Sequence, residues 1–302
     1  MKTDFFEAGK IDRPPSQIMI WFCLIKLPIS LMASVSAFTG YILHFPALNR
    51  NSILILINVF LLAGGSAAMN HYQDRAIDCF FSRTRERPLP RKLIPAPRVR
   101  LFASVLIFMG LSGLLLNQFS VFPVLIGLIA ILLYNGLYTP LKEKTVLAII
   151  PGTICGMMPP LIGWTAAGGN IRTPEIWILM TLIGLWQLPH FWLIILANRV
   201  EYSISNIPNM LSMFTVEKLK NILFVWILAF TCMALFLPAF RILKTHWMQW
   251  LLLIYFIPLI CFSGFSLLSK QKSSNYQGLF IYLNISMGFI LLLTVADRFY
   301  LG

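Results

Sequence analysis

Hydropathy constrains this chain more than any other feature. Nine apolar runs of membrane-crossing length follow one another, at about 18–43, 52–69, 99–118, 121–138, 146–166, 174–197, 221–240, 247–268 and 278–296. About 20 apolar residues suffice to cross the hydrocarbon core as a helix. In lipid, only helices and closed barrels satisfy every backbone polar group. Charged residues make up 12% of the chain, against about 25% in a soluble domain. The expectation is an all-α integral membrane protein, a bundle of nine transmembrane helices forming one domain over residues 1–302. Prolines inside the runs, such as Pro28, Pro189 and Pro258, are compatible with spanning helices because neighbouring helices re-satisfy the freed carbonyls. The pair Pro159-Pro160 predicts a broken helix in the fifth run.

The net charge of +13 is unevenly spread. With nine spans, the N-terminus and the loops after spans 2, 4, 6 and 8 share one side, which carries eighteen Lys and Arg residues against five on the other. The remaining one, Lys26, falls inside span 1. Positive charge stays inside, so a multi-pass protein of the cell's inner membrane is expected, with its N-terminus in the cytoplasm. Basic loops beside anionic lipid account for the charge without nucleic acid. The five cysteines are scattered, with no Cys-x-x-Cys or Cys/His cluster, so neither disulfide framework nor zinc site is indicated. The first seventeen residues mix Asp4, Glu7 and Asp12 with Lys2, Lys10 and Arg13. That is unlike a signal or transit peptide, and span 1 is expected to remain as a membrane helix.

Span 2 runs directly into Asn70-His71-Tyr72-Gln73-Asp74-Arg75-Ala76-Ile77-Asp78. If the helix continues, Asn70, Asp74 and Asp78, four apart, drift only about 40° per step and share one face. An amide and two carboxylates in a row are hard oxygen ligands, the type Mg²⁺ takes when a phosphate supplies the rest. Arg83 and Arg87, also four apart, can clamp the same phosphate. A solvated loop with local salt bridges fits the same spacing. Lys26 has two readings as well, an interfacial snorkel or a cation facing a polar cavity. Tyr138 and Lys142 close span 4, where they fit either an interfacial pair or a phosphate contact. In span 6, Gln187 and His190 are three apart and face the bundle interior, as inter-helix hydrogen-bonding groups or as contacts to a substrate. That span exits through Asn198-Arg199-Val200-Glu201, a second acidic site at the same face. Spans 7 to 9 offer few polar candidates.

Several of these blocks together resemble the UbiA superfamily of intramembrane prenyltransferases. They are Asn70-x-x-x-Asp74-x-x-x-Asp78 with Arg83-Thr84-x-x-Arg87-Pro88, and Tyr138 with Lys142. Two further blocks, Pro159-Pro160-Leu161-Ile162-Gly163-Trp164 and Trp186-Gln187-x-Pro189-His190-Phe191-Trp192, resemble the haem-farnesylating branch of that superfamily. The resemblance implies a nine-helix bundle with a central cavity open toward the cytoplasmic side and to lipid. It implies farnesyl diphosphate held through Mg²⁺ by Asn70, Asp74 and Asp78, with Glu201 standing for the second acidic motif. Lys142, Arg83, Arg87 and Arg199 would balance the diphosphate, and His190 or Gln187 would orient the acceptor. Haem B is then a substrate and not a prosthetic group, and a haem-handling membrane partner is expected. The sequence departs from the family pattern at Phe81, Ala148, Glu201, Asn206 and Asn209. The alternatives are polyprenyl transfer to an aromatic or other lipid acceptor, or a membrane transporter.

Overall fold

The computed structural model describes residues 16–116, 120–205, 207–268 and 276–301. Lys2, Lys10, Arg13, Asn206, Lys270 and Lys272 lie outside them. Among the described residues all regular structure is helical. In chain order it comprises α1 (Gln17–Leu24), α2 (Leu27–His44), α3 (Arg50–Asp74), α4 (Ala96–Leu116), α5 (Phe122–Ile131), α6 (Thr139–Leu141), α7 (Ile149–Ala166), α8 (Pro174–Ala197), α9 (Arg199–Ile204), α10 (Val216–Leu235), α11 (His246–Leu268) and α12 (Tyr276–Leu301). A π-helical stretch, Leu132–Tyr138, joins α5 to α6. Nine segments here are long and apolar enough to cross a membrane: α2, α3, α4, α5 through α6, Val146–Ala166, α8, α10, α11 and Tyr276–Tyr300. The chain is a multi-pass membrane protein.

Burial follows the solvent that lipid provides. Phe108 is 70% exposed and Leu292 65%, whereas Ser30, Thr39 and Ser286 are fully enclosed. Apolar side chains meet hydrocarbon, and small polar ones pack where helices approach. The helix neighbours are α3 with α2 and α4, α7 with α2, α5 and α8, and α8 with α10 and α12. The α12 helix closes the bundle against α2 and α11. A smaller apolar cluster of Ile20, Leu24, Ala68, Leu89, Ile94 and Val99 ties α1 and the 81–95 loop to the end of α3 and the start of α4.

Two expectations change. Span 1 is not one helix: it breaks at Lys26, whose backbone is left-handed at φ 47°. Pro28 has no N–H to give the carbonyl four residues back. The nearby Ile25 carbonyl is satisfied instead by the Ser30 hydroxyl at 2.6 Å. By contrast α7 runs unbroken through Pro159 and Pro160. There α2 lies close along it: a Cβ on Gly163 would sit 1.7 Å from the Ala37 carbonyl oxygen, and one on Gly40 would sit 2.0 Å from that of Pro160. This backbone-to-backbone crossing braces the helix where its own hydrogen bonds are missing. Gly163→Ala is therefore expected to force the helices apart. Overpacking of this kind costs about 1–3 kcal/mol, to be read as a lower melting temperature in detergent.

Candidate active site

The Asn/Asp row at the end of α3 is buried. Asn70, Asp74 and Asp78 are 2%, 4% and 5% exposed. They do not lie on one helical face as their spacing predicts. The α-helix ends at Asp74, and Asp78 sits in a separate 3-10 turn, Ile77–Phe80. That turn is held from behind: Thr84 Oγ1 donates to the Asp78 carbonyl at 2.8 Å, and Arg87 Nη1 reaches the two Asp78 carboxylate oxygens at 2.9 and 3.0 Å.

Three cations from three parts of the chain meet this row. Lys26 Nζ donates to Asn70 Oδ1 at 2.7 Å, Lys142 pairs with Asp74 Oδ2, and Arg87 pairs with Asp78. Arg87, Lys142, Asp74 and Asp78 are all within electrostatic reach of Lys26. Lys26 thus faces the cluster rather than snorkelling away, and the break between α1 and α2 is what turns it there. Buried charges are tolerable only when paired and hydrogen-bonded. Here each of the two carboxylates has a cation.

Residues that sequence reasoning passed over hold the row in place. Asn70 Nδ2 donates to Thr139 Oγ1 at 3.1 Å, which orients the amide oxygen toward Lys26. Asn135 Nδ2 donates to the Ser66 carbonyl at 3.0 Å and to Gln73 Oε1 at 3.1 Å. Gln73 Nε2 returns a bond to the Asn135 carbonyl at 2.8 Å. The π stretch explains that last bond. In π geometry the residue five ahead of Asn135 would donate to its carbonyl, and that residue is Pro140, which has no N–H. The free carbonyl and the Gln73 amide complete each other. The available signal was Gln73 beside the Asn/Asp row, with a proline closing span 4.

An aromatic path leads from the cluster into the bundle. Lys142 Nζ lies 5.7 Å from the Tyr138 ring centroid. Tyr138 stacks on Tyr134 at 5.6 Å and on Phe191 at 6.5 Å, and Phe191 meets His190 edge-on at 5.6 Å. His190 Nδ1 bonds Asn284 Oδ1 at 2.9 Å. Asn284 is on α12, in a span read as having few polar candidates. Gln187 is committed differently. Its amide nitrogen donates to the Thr153 carbonyl at 3.3 Å, and it fills the space left by Gly156, where a Cβ would sit 2.2 Å from Gln187 Oε1. It ties α8 to α7.

The second acidic segment meets the first through its loop. Ser82 Oγ donates to Glu201 Oε1, and Phe81 packs on Tyr202 at 5.2 Å between ring centroids. Arg83 is exposed, with its charge in reach of Tyr138 and His190. Arg199 is also exposed.

Among the described residues, no three His, Cys, Asp or Glu side chains form a group able to hold a metal ion. Two carboxylates and an amide nevertheless suit Mg²⁺, which binds through one or two carboxylates plus substrate phosphates. One observation favours that fit: Asp74 Oδ1 is buried with no hydrogen-bond partner, an acceptor left over for a cation.

The structure is thus a helical membrane bundle with buried carboxylates and cations gathered at the end of one helix, a charge arrangement suited to an anionic head group. The chain belongs to the UbiA prenyltransferase family, whose model matches residues 29–288, and it is a prenyltransferase. It is 36% identical over 221 residues to a protoheme IX farnesyltransferase of Nitratidesulfovibrio vulgaris, covering 73% of this chain and 77% of that one. It is 30% identical over 275 residues to a protoheme IX farnesyltransferase of Oleidesulfovibrio alaskensis, covering 91% and 95%. Its fold matches a UbiA homolog from Archaeoglobus fulgidus bound to GPP and Mg²⁺, with a TM-score of 0.70 at 14% identity, over 93% of this chain and 98% of that one. Family membership sets the transporter alternative aside.

Proposed function

We propose that the protein transfers the farnesyl group of farnesyl diphosphate to a vinyl group of haem B, giving haem O for a haem-copper oxidase. The observation that carries the diphosphate half is the buried trio Asn70, Asp74 and Asp78 with an unpartnered carboxylate oxygen. The acceptor half rests on the likeness to protoheme IX farnesyltransferases over most of the chain. Asn70, Asp74 and Asp78 would hold Mg²⁺, with Glu201 a further carboxylate beside the Ser82 loop. Bound there with the diphosphate, Mg²⁺ supplies charge neutralisation to the departing group.

The chain's own residues do the rest. Lys142, Arg87 and Lys26 exchange their present partners for diphosphate oxygens, and Arg83 and Arg199 add charge from the exposed rim. Such fixed cations stabilise charge that grows as the allylic C–O bond breaks. Tyr138, Phe191 and the apolar helix faces exclude the water that would otherwise quench the allylic carbon. The vinyl π electrons form the new C–C bond, diphosphate leaves, and water adds to the resulting carbocation with loss of a proton. Catalysis faces the cytoplasm in the inner membrane, through a central cavity that opens to that side. A membrane partner delivers or receives the haem.

The test is incubation of the purified protein with haem B, farnesyl diphosphate and Mg²⁺, read by mass. A porphyrin heavier by one farnesyl and one hydroxyl group, absent with EDTA, is expected. Unchanged haem with diphosphate released only when an aromatic or other lipid acceptor is supplied would replace haem as the acceptor.

A further inference from the structure

His190 is one of the residues singled out early, and the structure fixes its chemistry through a partner 94 residues away. Asn284 Nδ2 donates to the Phe280 carbonyl at 2.6 Å. A carbonyl only accepts, so that bond sets which end of the amide is nitrogen and leaves Oδ1 facing the imidazole. Oδ1 also only accepts, so His190 Nδ1 at 2.9 Å must carry the proton. In the neutral imidazole Nε2 is then a bare lone pair. Among the described residues no group bonds to Nε2, and His190 is only partly covered. Trp186 and Phe280 pack against the ring, each 4.9 Å away between centroids and tilted to it by 42° and 39°. Trp186 is itself anchored by Nε1 donating to the Leu283 carbonyl at 3.0 Å. All three residues are only partly buried. A partly open cluster of tilted aromatic rings around one oriented lone pair suits an apolar ring system carrying a Lewis-acidic centre.

We propose that Asn284 is a positioning residue that holds His190 in the Nδ1–H tautomer, so that Nε2 ligates the iron of the acceptor porphyrin. This rests on haem being the acceptor. A hydrogen-bonded partner on the other ring nitrogen is what orients a ligating histidine and raises its basicity. Removing such a partner weakens metal binding about 10- to 100-fold. Ligation would fix the porphyrin through its iron, while the path His190–Phe191–Tyr138–Lys142 ties that position to the diphosphate cluster.

The test titrates ferric haem B into the full-length protein and records the Soret band, then measures KM for haem B and for metal-free protoporphyrin IX. Wild type is expected to show a histidine-ligated band. Asn284→Leu should weaken haem binding about 10- to 100-fold and leave KM for the metal-free ring unchanged. Asn284→Asp, which keeps the acceptor oxygen, should restore the band. An equal loss with both porphyrins in Asn284→Leu, or a Soret band in His190→Ala identical to wild type while haem is still farnesylated, would overturn the ligation and leave the proposed function standing. No farnesylated porphyrin from wild type with either ring would overturn the proposed function and this inference with it.

Discussion

Asp74→Asn is expected to lower kcat/KM for farnesyl diphosphate by about 10³-fold while the protein still folds. Loss of one preorganised charge contact to a reacting group costs on this scale, and Asp74 contributes through both of its oxygens. Oδ2 holds Lys142, and Oδ1 is buried without a partner. The amide that replaces it keeps the shape and removes the charge. Its NH₂ group either repels the ammonium or repels Mg²⁺, depending on which way it turns. Steady-state release of diphosphate against Mg²⁺ concentration is the measurement, with the melting temperature as the folding control. A variant that keeps turnover and Mg²⁺ dependence would remove Asp74 from the site.

Lys142→Met should act on two quantities at once. Turnover is expected to fall about 10²-fold, because a fixed cation no longer meets the departing diphosphate. Stability of the ligand-free protein should fall as well, because Asp74, 5% exposed at its side chain, loses its counter-charge. Breaking a fully buried pair costs about 3–5 kcal/mol. The ammonium side is 25% exposed, so solvent recovers part of that and about 2 kcal/mol is the expected loss. The sign of the ligand effect follows. Mg²⁺ with an unreactive diphosphate analogue should raise the melting temperature more in Lys142→Met than in wild type, since in the variant it relieves an uncompensated carboxylate. An equal rise in both proteins, with turnover intact, would make Lys142 an interfacial residue only.

These two residues belong to a cluster in which the cations are already matched to acceptor oxygens. Lys26, Lys142 and Arg87 each hold an oxygen that, on the proposed function, Mg²⁺ would take. On the proposed function, Asn70, Asp74 and Asp78 would hold Mg²⁺, and the cations that now neutralise the carboxylates would turn to the diphosphate. The same charges then serve both states, so little reorganisation is needed at the moment of bond breaking.

The sequence alone determined the spans, their number among the described residues and the row of polar residues that ends span 2. The reason is that lipid forces each backbone segment to satisfy itself, so hydropathy along one dimension carries that information. It also placed Asn70, Asp74 and Lys142 as candidates, since charge at a membrane boundary is conspicuous against an apolar background. It placed Asp78 among the candidates too but on the wrong element, because spacing assumes a continuing helix and cannot see Thr84 and Arg87 bonding back to a separate turn. It read span 1 as whole and α7 as broken, because the effect of a proline depends on what packs beside it. Only the tertiary structure decided that Gln187 ties two helices, that Pro140 frees a carbonyl for Gln73, that Ser82 meets Glu201 across 119 residues and that Asn284 orients His190. Polar side chains within a bundle find partners according to how helices cross, and crossing geometry is set by small residues such as Gly40 and Gly163 whose contacts lie far off in the chain.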